Sequence, residues 1–295
     1  MTEKIAIVVV TYNRLALLKE CIPALRIQTR KPDAIIVINN NSPDGTAQWL
    51  QEQTDLQVIH QENIGGAGGF YRGVKEAYEQ GFDWIWVMDD DVEATPDCLE
   101  NLLKYRNISE CIHPFRKYTD GELVHGELIW DLSRDNIMFM ENASYKNGKE
   151  FWPTNNACFE GMLISRKVVE KIGYPDKRFF FVYDDLIYGF YASLYTNVIF
   201  VKSALLIRKK HSSSESLSPT YIYYAVRNKH LVMEYHMKFF PNVSHKEIKK
   251  NHRLFPLHNI KMILKLKNHS WDQKTKLISA VYRGYRDSLL KKIDR

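Results

Sequence analysis

No stretch of the sequence approaches the ~18 consecutive apolar residues of a membrane-crossing helix, so no span is expected within it. The opening, MTEKIAIVVVTYN, has a short apolar run that leads into a polar turn, with no small-residue cleavage site, so a secretory leader is not expected either. Cysteine is scarce. Cys21, Cys98, Cys111 and Cys158 are scattered and form no CxxC pair. They read as reduced thiols of a cytoplasmic protein. There is no internal repeat and no low-complexity linker. The last quarter is poor in glycine and does not interleave aromatic with basic residues, so nucleic acid is not an expected partner.

What is present is a core. Hydrophobic residues make up 45% of the 295 positions and aromatics 13%, enough to exclude disorder. The net charge of +6 is unevenly placed. Residues 231–295 carry 15 Lys/Arg against 5 Asp/Glu, leaving the body slightly acidic. A basic tail on such a body suits an anionic membrane surface.

Four short apolar runs recur in the first third: IAIVVV (5–10), AIIVIN (34–39), LQVIH (56–60) and WIWVM (84–88). Segments of helical spacing separate them. The repeated βα unit predicts an open, doubly wound α/β sheet. Ligands of such sheets bind beyond the carboxyl ends of the strands, so TYNR, NNNSPDGT, QENIGGAGG and DDD fall on one rim. RKYTDGELVHGE (116–127) predicts a hairpin with an Asp-Gly turn. EGMLISRKVVEKIG predicts a strand and helix, DDLIYGFYASLY a helix behind two acids, and the chain from about Tyr221 is helical and basic.

Three adjacent aspartates behind WIWVM repel one another. On a strand alternate side chains share a direction, so Asp89 and Asp91 converge and Asp90 points elsewhere. A divalent cation with a substrate diphosphate makes that arrangement tolerable. The competing reading is a cap for the helix after Pro96 and Asp97. NIGGAGGFYRG (63–73) has five glycines, four of them in a turn before a helix, where backbone N–H groups can approach an anion. By itself such a segment is more often an ordinary turn. Arg72, one turn into that helix, can reach the aspartates or a phosphate. Asn amides in INNNSPDGT can read a pyrimidine edge, and Asp44-Gly45-Thr46 can cap the next helix.

The ordered set TYNR, NNNSPDGT, NIGGAGGF and WVMDDD resembles glycosyltransferase family 2, over roughly residues 4–211. The glycine loop with the triple Asp is most similar to the galactofuranosyltransferase-like branch, with bacterial rhamnosyltransferases nearby. The resemblance implies a GT-A fold: a Rossmann-like, mostly parallel sheet flanked by helices. It implies a catalytic domain over 1–220, with a nucleotide-sugar half (about 1–100) and an acceptor half (about 101–220), followed by a helical extension over 221–295. It implies donor contacts from Thr11, Tyr12, Asn13, Arg14, Asn39, Asn40, Asn63, Gly65, Gly66, Arg72, Asp89, Asp90 and Trp152. Asn39 stands where the family has a carboxylate on uracil. Mn²⁺ or Mg²⁺ is implied on Asp89, Asp91 and His211, and a general base at Asp185 with Asp184 as its partner. Arg208, Lys209, Lys210 and Arg227 are expected near the departing diphosphate.

The function implied is inverting transfer of a sugar, UDP-galactofuranose favoured, to a hydroxyl of a cell-surface glycan or lipid-linked acceptor. A dTDP-rhamnose donor is the near alternative. A sugar-1-phosphate nucleotidyltransferase would carry a Gly-rich basic loop where this chain has TYNR, and a non-catalytic binding module would not need Asp184 and Asp185. The expected location is cytoplasmic, peripheral on the inner face of a bacterial plasma membrane. In the tail, Leu254, Leu257, Ile260, Ile263 and Leu264 recur near helical spacing beside Lys261, Lys265 and Lys267, as in an interfacial helix.

Overall fold

The computed structural model describes residues 3–124, 128–131, 136–139, 148–209, 217–242 and 245–292. The strands are β1 Ile5–Thr11, β2 Ala34–Asn39, β3 Gln57–His60, β4 Trp84–Asp89, β5 Val92–Ala94, β6 Cys111–Tyr118, β7 Leu128–Asp131, β8 Asn136–Phe139, β9 Phe151–Thr154, β10 Leu163–Ser165 and β11 Val198–Arg208. The helices are α1 Leu15–Arg26, α2 Thr46–Gln51, α3 Gly65–Glu79, α4 Cys98–Leu103, α5 Arg166–Ile172, α6 Asp184–Ser193, α7 Pro219–Arg227, α8 Lys229–Phe239, α9 Lys246–Leu264 and α10 Trp271–Leu289.

One sheet runs β3-β2-β1-β4-β10-β6-β11-β5, with β9 also on β11 and β7-β8 forming a separate pair. The first four strands in that order are parallel, as expected. The other half is mixed, because β10 runs antiparallel to both β4 and β6. β5 and β9 share the outer edge of β11 and pair with opposite ends of it.

The apolar runs do not alternate because both faces of the sheet are covered. Ile5, Ile7 and Val9 of β1 enter a layer with Leu18, Ile22 and Leu25 of α1. Ala6, Val8 and Val10 enter the opposite layer with Phe70, Val74 and Ala77 of α3. A period of two thus splits one strand between two cores.

The expected Asp-Gly hairpin is present as a short turn. Tyr118 N donates to Glu122 O at 2.8 Å, and Gly121 sits at φ 89°. Residues 125–127 of that segment lie outside the described residues.

The C-terminal helices do not form one separate block. Leu231 and Val232 of α8 pack with Phe179, Ile187 and Phe190 beside α6. α9 and α10 share another cluster with Ile222 and Val226 of α7. Ser270 and Gln273 close a capping box at the start of α10. Among the described residues no helix is long and apolar enough to cross a membrane.

Candidate active site

The turns after β1 and β2 are tied together at the rim. Asn13 N donates to Ser42 Oγ at 3.0 Å, and Leu15 N donates to Asp44 Oδ2 at 2.8 Å. Asp44 Oδ1 also accepts from Thr46 N and Oγ1. Asp44 therefore satisfies the first amide of α1 as well as leading into α2. Asn13 and Asn41 hold positive φ, 54° and 57°, strain of the kind that concentrates at functional rims. Tyr12 is exposed there.

The aspartates depart from the expected alternation. β4 ends at Asp89, and the chain turns at Asp90 and Asp91 before β5 begins. Asp90 does not point away. Its Oδ2 accepts from Thr11 Oγ1 at 2.7 Å, and its Oδ1 accepts from Arg14 Nη1 at 3.2 Å. The same Arg14 nitrogen donates to Asp91 Oδ2 at 3.2 Å. The period-two argument fails because it applies only while the backbone is extended. Burial pushes Asp90 up to about 6, although Arg14 and Thr11 pull the other way. Desolvation raises Asp89 well above the usual carboxylate range, and the charges of Asp91, Glu160 and Asp90 add to this.

Asn39 and Asn40 do not offer free amides. Asn39 Oδ1 accepts from Ser42 N at 3.0 Å, and its Nδ2 lies 3.1 Å from His60 Nδ1. Asn40 Nδ2 donates to Gly65 O at 3.1 Å, and its Oδ1 accepts from Gln61 Nε2 at 2.6 Å. Both are buried. These contacts hold the strand-end turns together, so base reading by these two side chains would need them to break.

The glycine segment is not a turn before a helix. It is the first two turns of α3 itself. A Cβ on Gly69 would stand 2.4 Å from Val10 Cγ1, and one on Gly73 would stand 2.2 Å from Val8 Cγ1. Glycine lets the helix approach β1 closely. At the helix start Gly65 N donates to Asn63 Oδ1 at 3.0 Å and Ala67 N to Phe180 O at 3.1 Å, so both amides are already occupied. A Cβ on Gly66 would meet nothing within 4 Å, which leaves open space there. Arg72 lies further along α3 than expected and pairs with Glu76 at 3.6 Å, one turn on in its own helix.

Asp184 and Asp185 begin α6. The loop before them is unusual: Phe180, Val182 and Tyr183 hold φ of 61°, 72° and 71°. It is fixed from behind. Arg227 Nη2 donates to the carbonyls of Arg178 and Phe179, and Asn228 Nδ2 donates to those of Phe179, Phe181 and Val182. Arg227 is thus a buried clamp on this loop, not a diphosphate ligand as expected. Gly65 serves the same loop, since a Cβ there would lie 2.1 Å from Phe180 O. Asp184 is buried and Asp185 is half-buried. Desolvation raises both, and the charge of Asp185 adds to the shift of Asp184. On Asp185 the Leu186 amide and the Arg116 charge act in the opposite direction.

Sequence reasoning missed the group between the two acidic clusters. Glu160, buried just before β10, pairs with Arg116 of β6 and lies 3.3 Å from Arg208 Nε at the end of β11. Arg116 also donates to Cys158 Sγ at 3.1 Å. A charged residue amid apolar neighbours, as in CFEGML and HPFRK, was the available signal. Its partners lie on distant strands and could not be read from the sequence.

Two expected residues are not brought to this group. Trp152 lies on edge strand β9 opposite Phe200, at the other end of β11 from Arg208, with Lys149 4.9 Å from its ring centroid. Lys209 pairs with Glu93 and Glu20. His211 and Lys210 lie outside the described residues.

Among the described residues no group of three ligands is placed to hold a metal ion. Asp89 and Asp91 are carboxylates two positions apart, oxygen donors of the kind a hard divalent cation takes, and Asp91 is at present paired with Arg14.

A family model described as Glycosyl transferase family 2 matches residues 6–173. The chain is 29% identical over 198 residues to galactofuranosyltransferase GlfT1 of Mycobacterium tuberculosis, a match covering 63% of each protein. It is 28% identical over 139 residues to undecaprenyl-phosphate mannosyltransferase of Micrococcus luteus, covering 45% of this chain and 55% of that one. Among solved structures, GalNAc-T7 with UDP, GalNAc and Mn²⁺ superposes at TM-score 0.64 and 12% identity, over 98% of this chain and 56% of the other. TarS of S. aureus with UDP superposes at TM-score 0.57 and 14% identity, over 98% and 82%. At those identities the structural likeness speaks for the fold, which is that of GT-A glycosyltransferases.

Proposed function

Because the chain belongs to glycosyl transferase family 2, in its galactofuranosyltransferase-like branch, we propose that it transfers a sugar from a nucleotide-diphosphate donor, with inversion, to a hydroxyl of a cell-surface glycan or lipid-linked acceptor. UDP-galactofuranose is the favoured donor, because the ordered turn motifs and the GlfT1 match point the same way.

The observation that carries the reading is that one segment touches the elements bearing both acidic groups. Asp89 and Asp91 stand at and just past the end of β4, where Val87 N donates to Met162 O at 2.9 Å, and Asp185 stands at the start of α6, where Asn156 Nδ2 donates to Leu186 O at 2.8 Å; Glu160 lies between these two contacts in the chain. An acceptor hydroxyl is a poor nucleophile, and a positioned carboxylate removes its proton as the new C–O bond forms. Asp185 suits that role better than Asp184 because it is the less buried of the two. Attack from the face opposite the leaving diphosphate inverts the anomeric carbon in one displacement. Asp89, Asp91 and His211 would hold Mn²⁺ or Mg²⁺, which when bound neutralises charge on the departing diphosphate. Asp90 keeps Arg14 in place beside this group.

The same reading places the protein in the cytoplasm, peripherally on a membrane that carries the acceptor. Its support is the basic C-terminal region and the exposed apolar residues of α9.

The test is release of UDP or TDP across a panel of nucleotide-sugars with a lipid-linked acceptor. Asp185→Asn should lower kcat by roughly 10²–10⁴ with donor affinity little changed. Chelation should abolish wild-type turnover. Full activity in EDTA would remove the metal from the scheme. If Asp184→Asn shows the loss and Asp185→Asn does not, the base is Asp184. Preference for dTDP-rhamnose would move the protein to the rhamnosyl alternative.

A further inference from the structure

A buried carboxylate between two arginines is an expensive element for a fold to keep. Glu160 and Arg116 are 5% and 7% exposed, and Arg208 completes the group from the end of β11. Nothing in the sheet requires charge here. β6 and β11 pair through their backbones at Arg116 and Leu206, and an apolar side chain would serve that packing. Glu160 Oε1 and Arg208 Nε, though near each other, form no hydrogen bond. The group is therefore not a saturated structural knot.

Its placement points to α6. The segment carrying Cys158 and Glu160 lies against the first turns of that helix. Asn156 Nδ2 donates to Leu186 O at 2.8 Å, and a Cβ on Gly189 would stand 2.4 Å from Ala157 N. β6 also touches α6. Arg116 is held by Glu160 and donates to Cys158 Sγ, so it is fixed from two sides on the segment that packs against the start of α6, and its charge acts on Asp185 there. We infer that Arg116 is a positioning residue for Asp185, keeping that carboxylate charged and ready to take a proton, and that Glu160 fixes Arg116 and limits its effect.

Among the described residues, the groups that act on Asp185 are Asp184 on its own helix, Arg116 on β6, Cys158 and Glu160 on the segment before β10, and Tyr221 on α7. Cys158 is a neutral thiol, pushed up to about 12 by burial. Tyr221 is raised and neutral. The local balance is therefore set by Arg116 against Glu160 and Asp184. Removing Arg116 takes away an attraction for the charged form of Asp185, so Asp185 protonates at higher pH. Replacing Glu160 by Gln keeps a hydrogen-bond acceptor for Arg116 but removes a repulsion, so Asp185 protonates at lower pH.

This inference rests on Asp185 being the base, and the experiment separates the two claims. The acid limb of the kcat–pH profile is measured for the full-length wild type, Arg116→Gln, Arg116→Lys and Glu160→Gln. In parallel, the infrared carbonyl stretch of protonated Asp185 is identified by its loss in Asp185→Asn and titrated in each variant. Arg116→Gln should move both transitions up in pH, with activity partly regained on the alkaline side. Glu160→Gln should move both down. Arg116→Lys, which keeps the charge, should stay near the wild type. A purely structural cluster would lower kcat without moving the limb, or move all variants the same way; either result overturns the inference. If Arg116→Gln does not fold, the downward shift in Glu160→Gln still decides. Wild-type turnover in Asp185→Asn would instead refute the assignment of the base, while the infrared titration would still report on Arg116.

Discussion

At the residue scale, His113 shows how one buried ring reports on this region. It is fully buried in β6, stacked on Phe200 at 4.3 Å between centroids, with Nδ1 2.7 Å from Pro114 O and Nε2 3.1 Å from Cys158 Sγ. Burial pushes it down to about 3 from 6.5, and the neighbouring Arg116 adds to this. The folded pKa lies below the unfolded one, so the unfolded chain takes up the proton first. The ring's contribution to stability is complete above 6.5 and is lost as pH falls toward about 3. His113→Phe keeps the ring and removes the titration. Urea unfolding of both proteins over this range should show the wild type losing stability relative to the variant, at no more than about 1.4 kcal/mol per pH unit. A constant difference would mean that His113 is not desolvated as described.

At the element scale, the glycines of α3 set how deeply the helix sits on β1. Their sequence suggests an anion-binding turn, and their main use in the fold is steric. Gly73→Ala should destabilise by about 1–3 kcal/mol, the usual cost of overpacking, because its methyl would fall on Val8. Val8→Ala in the same chain should recover part of that loss, since residues in contact are not additive. Denaturant midpoints of the two single variants and the double variant check this. An unchanged midpoint for Gly73→Ala would show that the helix can back away without cost. The turn after β4 teaches a related lesson. DDD was legible as a strand end, yet which aspartates converge depended on where extended backbone stops and on Arg14, a residue from another turn.

At the scale of the whole molecule, α9 bears on the interfacial reading of the tail. The residues expected on one apolar side are divided. Ile263 is buried against α10 with Ile260 partly buried beside it, while Leu254, Leu257 and Leu264 are 46%, 55% and 45% exposed. One face packs on the protein, and the outward face mixes leucines with the exposed Lys261 and Lys265. Such a face suits an anionic lipid surface, with leucines in the acyl boundary and lysines on headgroups, each worth about 1 kcal/mol near the surface. Cosedimentation with phosphatidylglycerol vesicles should be strong at low salt and weak at high salt. It should weaken when Lys261, Lys265 and Lys267 are changed to Gln. Binding that ignores both salt and the lysines would refute this docking face.

The sequence by itself determined the elements that local chemistry dictates. Unbroken β-branched runs marked strands covered on both faces, and paired acids marked the start of α6. The ordered polar turns marked the rim. Only the tertiary structure decided what those side chains face. Asn39 and Asn40 are spent on neighbouring turns, Arg227 clamps the loop of Phe180, and Glu160 joins Arg116 of β6 to Arg208 of β11. The reason is physical: periodicity and propensity act over a few residues, whereas an ion pair between β6 and the segment before β10 exists only after the sheet has set its order.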